Sequence, residues 1–123
     1  MVGVIDPDPV ARSGLRTLLH GLGVDVSTFD SAESYLLAAN GRHVACLIVD
    51  LLLPGMSGLE LLRRLRSAGN DVPVILLADE SDVPTAVAAM REGATDFIEK
   101  PYVDVAVLKQ VQKLLRTPPT LPA

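Results

Sequence analysis

Five short apolar runs alternate along the chain with stretches in which apolar residues return every three or four positions. The runs cover residues 2–6, 24–29, 44–50, 72–78 and 95–99. Several are rich in Val and Ile and almost continuously apolar, as expected for strands covered on both faces. Each is followed by a helical pattern. The first helix has Asp8 as a predicted N-cap and Pro9 at its first position. It carries Ala11, Leu15, Leu18, Leu19 and Leu22 on one stripe and stops at Gly21 and Gly23. The second starts after Ser31 and ends near Gly41. The third runs over about 57–68, with Leu61, Leu62 and Leu65 inward and Arg63, Arg64 and Arg66 outward. The fourth follows Ser81 and Asp82 and ends at Gly93. The fifth, over about 103–116, carries Val107, Leu108, Val111, Leu114 and Leu115.

Strand and helix alternating five times predict an α/β domain, a doubly wound parallel sheet of five strands between two helical layers. Residues 1–116 form that domain, and residues 117–123, TPPTLPA, read as a linker or flexible tail. The 123 residues suffice for one core, and with 49% hydrophobic but 3% aromatic residues it must be built from Leu, Val, Ile and Ala. A net charge of −4, from 15 acidic against 11 basic side chains, leaves no electrostatic footprint for DNA or RNA. No apolar stretch approaches the ~20 residues that span a bilayer. The lone Cys46 sits in the apolar run VACLIVD, reads as a small buried hydrophobe and fits a reducing compartment. A cytoplasmic protein is expected.

Chemistry collects outside the carboxyl ends of parallel strands, near the point where strand order reverses. Asp6 ends the first run, Asp50 the third, and Lys100 follows the fifth. A lone buried charge is costly, so these groups are expected to be partly exposed or to compensate one another. Two acids can hold Mg²⁺ through oxygen ligands, and one acid can attack phosphorus to form an aspartyl-phosphate. A metal and an ammonium then neutralise the transferring group. His20 and His43 lack metal-ligand spacing and read as surface residues. Tyr35 and Tyr102 stand isolated, with no stacking platform.

The segments VDLLLPGMSGLELLRRLR and VPVILLADESDVPTAVAAMREGATDFIEKPY resemble the receiver domain of two-component response regulators. The likeness spans about residues 2–116. Asp50 followed by Pro54 and Gly58, and the Lys100–Pro101 pair after Phe97, are its most specific parts. Asp82–Pro84 and 97–102 are similar to receivers that precede a helix-turn-helix output domain, as in nitrogen-fixation and LuxR-type regulators. The resemblance implies a flavodoxin-like fold with strand order 2-1-3-4-5. It makes Asp50 the phosphoacceptor and Asp6 an acid that holds Mg²⁺. The backbone carbonyl of Leu52 becomes a further metal ligand, and Lys100 the partner of the phosphoryl oxygens. Phe97 becomes the aromatic whose rotation reports phosphorylation, and the Lys100–Pro101 bond is expected to be cis. Implied partners are a sensor histidine kinase, an output domain of its own or of a partner, and a second copy through the fourth helix, fifth strand and fifth helix. The domain itself is expected to contact neither nucleic acid nor membrane.

Two positions depart from the family pattern. Pro7 stands where a second acid usually binds Mg²⁺, and Ala78 where a Ser or Thr hydroxyl usually meets the phosphoryl group. Asp8 is better placed to cap the first helix than to replace the lost ligand, and Ser81 lies too far along to replace the lost hydroxyl. Leu53 stands where the family often has Met, a mild change. The departures imply an atypical receiver, phosphorylated poorly or switched by another input, and no free-standing metabolic enzyme. One alternative keeps the fold without the chemistry, as a phosphorylation-independent dimerisation or docking module. Another reads VIDPDPV as the first motif of haloacid-dehalogenase-type phosphatases, with Asp6 as nucleophile and Asp8 as acid–base. That motif is weak by itself, and the chain is short for that family.

Overall fold

Alternate residues of the central strands face opposite ways, and each set has its own helices to cover it. A computed structural model describes residues 1–39 and 43–116. Its elements are β1 (Val2–Ile5), α1 (Pro9–His20), β2 (Val26–Phe29), α2 (Ala32–Ala38), β3 (Cys46–Asp50) and α3 (Gly58–Ser67). They continue with β4 (Val74–Ala78), a 3₁₀ turn (Glu80–Asp82), α4 (Val83–Arg91), β5 (Asp96–Glu99) and α5 (Asp104–Arg116). The sheet is entirely parallel, in the order β2-β1-β3-β4-β5. Leu47, Val49, Val74, Leu76 and Ala78 pack against α2, α3 and α4 through Tyr35, Leu61, Leu62, Leu65, Ala86 and Ala89. Cys46, Ile48, Ile75, Leu77 and Ile98 face the other way, onto Leu15, Leu19, Val107 and Val111 of α1 and α5. The two-residue period of the strands thus builds two cores on one sheet.

Asp8 caps α1, its carboxylate accepting from the Val10 N–H at 3.0 Å, with Pro9 in the first turn. Ser31 and Ser57 cap α2 and α3 in the same manner. The predicted strands 24–29, 44–50 and 72–78 each begin two residues later than the apolar pattern suggested. The backbone of Asp25, Ala45 and Pro73 still bonds to the neighbouring strand, but regular pairing starts only beyond them. The second helix ends at Ala38; its predicted end at Gly41 falls outside the described residues, as does the predicted tail 117–123.

Other expectations are corrected by tertiary packing. Arg66 is half-buried rather than fully outward, its guanidinium donating to the carbonyls of Gly93 and Asn70. Tyr35 is buried, not isolated, and meets Phe29 edge-on with ring centroids 5.4 Å apart. Cys46 is fully buried, and burial pushes its thiol up to about 11, so it is an inert core residue. His20 and His43 are exposed. Among the described residues no helix is long and apolar enough to cross a membrane.

Candidate functional site at the carboxyl edge of the sheet

Strand order reverses between β1 and β3, and this is where the two acids meet. Ile5 pairs with Val49, so the next residue on each strand, Asp6 and Asp50, lies at the same level of the sheet edge. Both are buried, with relative exposures of 1% and 7%. Lys100 comes from two strands away. Its backbone N–H donates to the Ala78 carbonyl at 2.8 Å, and its side chain reaches Asp50. The ammonium Nζ donates to Asp50 Oδ2 at 2.7 Å and lies 4.0 Å from Asp6 Oδ2. The three residues read from the sequence are therefore one cluster. The charges compensate one another more than they are exposed. The Lys100–Pro101 peptide is cis.

The two carboxylates are held differently. Asp50 is satisfied on both oxygens, by Lys100 on Oδ2 and by the Leu52 N–H on Oδ1 at 3.1 Å. Asp6 Oδ1 accepts from the Asp8 N–H at 2.9 Å, while Oδ2 is buried without a hydrogen-bond partner among the described residues. Burial, and secondarily the Asp50 charge, raise the Asp6 carboxyl above its ordinary value, against the opposing Asp8 bond and Lys100 charge. Burial works against the Lys100 ammonium, but the Asp50 bond and the charges of Asp50, Asp6 and Asp79 outweigh it and raise Lys100.

An orphaned, buried carboxylate oxygen beside a second carboxylate fits a hard divalent cation. Pro7 contributes no side-chain oxygen, and Asp8 has one oxygen committed to capping α1. The carboxylates in place for Mg²⁺ are therefore those of Asp6 and Asp50, one fewer than three. The remaining predicted positions surround this cluster. Ala78 is buried at the end of β4, and Phe97, paired in register with Leu76, is half-buried against the core beneath α2, α3 and α4. Leu52 is 58% exposed on the loop after β3, and Leu53 is buried.

Sequence reasoning missed two neighbours. Arg12, half-buried on α1, donates from Nη1 to the Asp6 carbonyl at 2.7 Å and helps hold a turn in which Pro7 has no N–H to give. Glu33 of α2 accepts from the Met56 N–H in the loop after β3 at 3.0 Å. Both act across gaps in sequence that no local periodicity reveals.

The parallel sheet in this order thus places an acid pair at its switch point, with a lysine reaching it from beyond β5. Residues 2–112 match the response regulator receiver domain, and the chain belongs to that family. It is 37% identical over 113 residues to the transcriptional regulatory protein FixJ of Bradyrhizobium diazoefficiens, covering 92% of this chain and 55% of that protein. It is 42% identical to the C4-dicarboxylate transport transcriptional regulatory protein DctD of Pseudomonas aeruginosa, covering 91% of this chain and 24% of that one. The receiver domain of NtrX from Brucella abortus superposes with a TM-score of 0.88 at 30% identity, covering 96% of this chain and all of that one. The chain spans about half the length of FixJ.

Proposed function

We propose that Asp50 is the phosphoacceptor of this receiver, and that Lys100 holds the oxygens of the phosphoryl group once it is in place. The observation that carries this reading is the 2.7 Å contact between Lys100 Nζ and Asp50 Oδ2, beside the unpartnered Asp6 Oδ2. An Asp50 carboxylate oxygen attacks phosphorus, the bond from phosphorus to the donor breaks, and the donor leaves with its electron pair. Lys100 neutralises charge on the transferred group. Asp6, Asp50 and the Leu52 carbonyl would hold Mg²⁺, which when bound supplies further neutralising charge. Asp6 offers its oxygen in a fixed direction, because Arg12 pins its carbonyl and Asp8 its other oxygen.

The two departures separate reception from response. Pro7 removes one ligand and so slows modification. Ala78 supplies a carbonyl to Lys100 but no hydroxyl to the phosphoryl group, which weakens the pull on Phe97. The donor is a sensor histidine kinase. The response runs to an output domain of helix-turn-helix type and to a second copy through α4, β5 and α5, where Val87 and Met90 are exposed. The setting is the cytoplasm.

The test is incubation with acetyl phosphate, with and without Mg²⁺, followed by intact-mass measurement. The expected result is slow, Mg²⁺-dependent phosphorylation that D50N abolishes and P7D accelerates by about tenfold. Modification of D50N at the wild-type rate, or none of the wild type, overturns the assignment.

A further inference from the structure

The loop between β3 and α3 carries the Leu52 N–H that bonds Asp50 and the Leu52 carbonyl assigned to the metal, so whatever fixes this loop fixes the site. Its two ends are set by the core: Leu51 and Leu53 are buried, and the Gly58 N–H donates to the Leu51 carbonyl at 3.0 Å. In its outer turn Pro54 and Gly55 are exposed, and Met56 is half-buried with its side chain packed against the core. There the Glu33 carboxylate reaches across from α2 and accepts from the Met56 N–H at 3.0 Å, a contact between residues 23 apart in sequence.

Two observations show that this contact is built into the fold. Gly55 has φ +72°, a left-handed conformation that favours glycine, and a Cβ there would stand 2.6 Å from Glu33 Oε2. The glycine thus permits the turn and leaves room beside the Met56 N–H for the carboxylate. On the other side, Glu33 lies in the first turn of α2 between Ala32 and Tyr35, both buried, so its helix cannot drift from the loop. The Met56 N–H also holds the Glu33 carboxyl below its ordinary range, as a bond to the charged form does.

We infer that Glu33 is a positioning residue for the phosphorylation site, a carboxylate latch from α2 that holds the 54–56 turn and through it the Leu52 backbone. This rests on the phosphoacceptor reading of Asp50. Groups that orient a metal's ligands without touching the metal typically change affinity or activity by 10–100-fold when removed.

The experiment compares wild type, E33A and E33Q. It reads three things: the rate of Asp50 phosphorylation by acetyl phosphate, the Mg²⁺ concentration that gives half that rate, and amide hydrogen exchange at Met56. E33A is expected to need about tenfold more Mg²⁺ and to exchange the Met56 amide faster. E33Q keeps an acceptor oxygen and is expected to restore both to within about twofold. A general loss of stability would not be rescued selectively in this way, and exchange at core amides of β3 and β4 serves as the internal reference. Wild type that is phosphorylated while E33A matches it in Mg²⁺ requirement and Met56 exchange overturns the latch alone. Wild type that is never phosphorylated removes the reading of Asp50 and the role of Glu33 with it.

Discussion

Two loops leave the carboxyl edge of the sheet on either side of the Asp50–Lys100 pair, and they are built to different standards. The loop after β3 is tied at every level. Leu52 bonds the Asp50 carboxylate, Gly58 closes onto Leu51, Met56 is held by Glu33, and Ser57 caps α3 by accepting from the Glu60 N–H at 3.1 Å. The loop after β4 starts at Ala78, which has no side-chain polar group, and continues through the acids Asp79, Glu80 and Asp82. Asp82 stands at the N-cap of α4 without a side-chain cap bond, and its Oδ2 is buried without a partner among the described residues. The first loop flanks Asp50, the phosphoacceptor of the reading proposed above. The second would carry the response to α4 and Phe97, and it meets the site through the Ala78 carbonyl that accepts from the Lys100 N–H and through the charge of Asp79 near Lys100. On the reading proposed above, reception and response are separable properties of one sheet edge.

Substitutions sharpen that contrast, and the largest effect belongs to the tight loop. A Cβ on Gly58 would stand 2.7 Å from the Asp50 carbonyl oxygen and 3.0 Å from Leu51 Cα, both backbone atoms with little room to yield. G58A is expected to lower unfolding free energy in urea by about 2–3 kcal/mol and to slow Asp50 phosphorylation with it. An unchanged urea midpoint would show that the loop is less constrained than its contacts imply.

The next effect belongs to the response loop. A78S places a hydroxyl at the end of β4 in a buried position. It is expected to add a bond to the phosphoryl group of about 1.5–3 kcal/mol, enough to shift a two-state equilibrium of similar size. NMR of the beryllofluoride-treated protein checks it: Phe97 ring and α4 amide signals should move in A78S and far less in wild type. Equal movement in both would end the argument that Ala78 uncouples the switch.

The smallest pair of effects compares the helix caps. S57A should cost about 1 kcal/mol, the usual worth of a working N-cap, whereas D82A should stay within about 0.5 kcal/mol of wild type because its carboxylate caps nothing. Thermal denaturation of both variants decides this, and equal losses would contradict the asymmetry of the two loops.

Much of this organisation was legible in the chain. Strand and helix alternation, the almost continuous apolar character of the strands and the Asp8–Pro9 start of α1 each gave a correct local reading, because each is a local preference that packing reinforces. Boundaries were read less well at 24–25, 44–45 and 72–73, where apolar residues approach the sheet without joining its regular pairing. Arg66 read as a solvated face and Tyr35 as isolated, yet both found tertiary partners, Gly93 and Phe29, far away or out of phase in sequence.

Residue chemistry along the chain determined which groups reach the carboxyl edge, since a polar residue that ends an apolar strand has nowhere else to go. It also determined what is missing, because the side chain of neither Pro7 nor Ala78 can supply an oxygen ligand or a hydroxyl in any fold. Tertiary structure decided how those groups are held. It joined Lys100 to Asp50 across β4, left Asp6 Oδ2 without a hydrogen-bond partner among the described residues, pinned the Asp6 carbonyl with Arg12 and placed Glu33 on the loop after β3. Hydrogen bonds of this kind need heavy atoms within about 3 Å, and that proximity exists only once sheet and helices have packed.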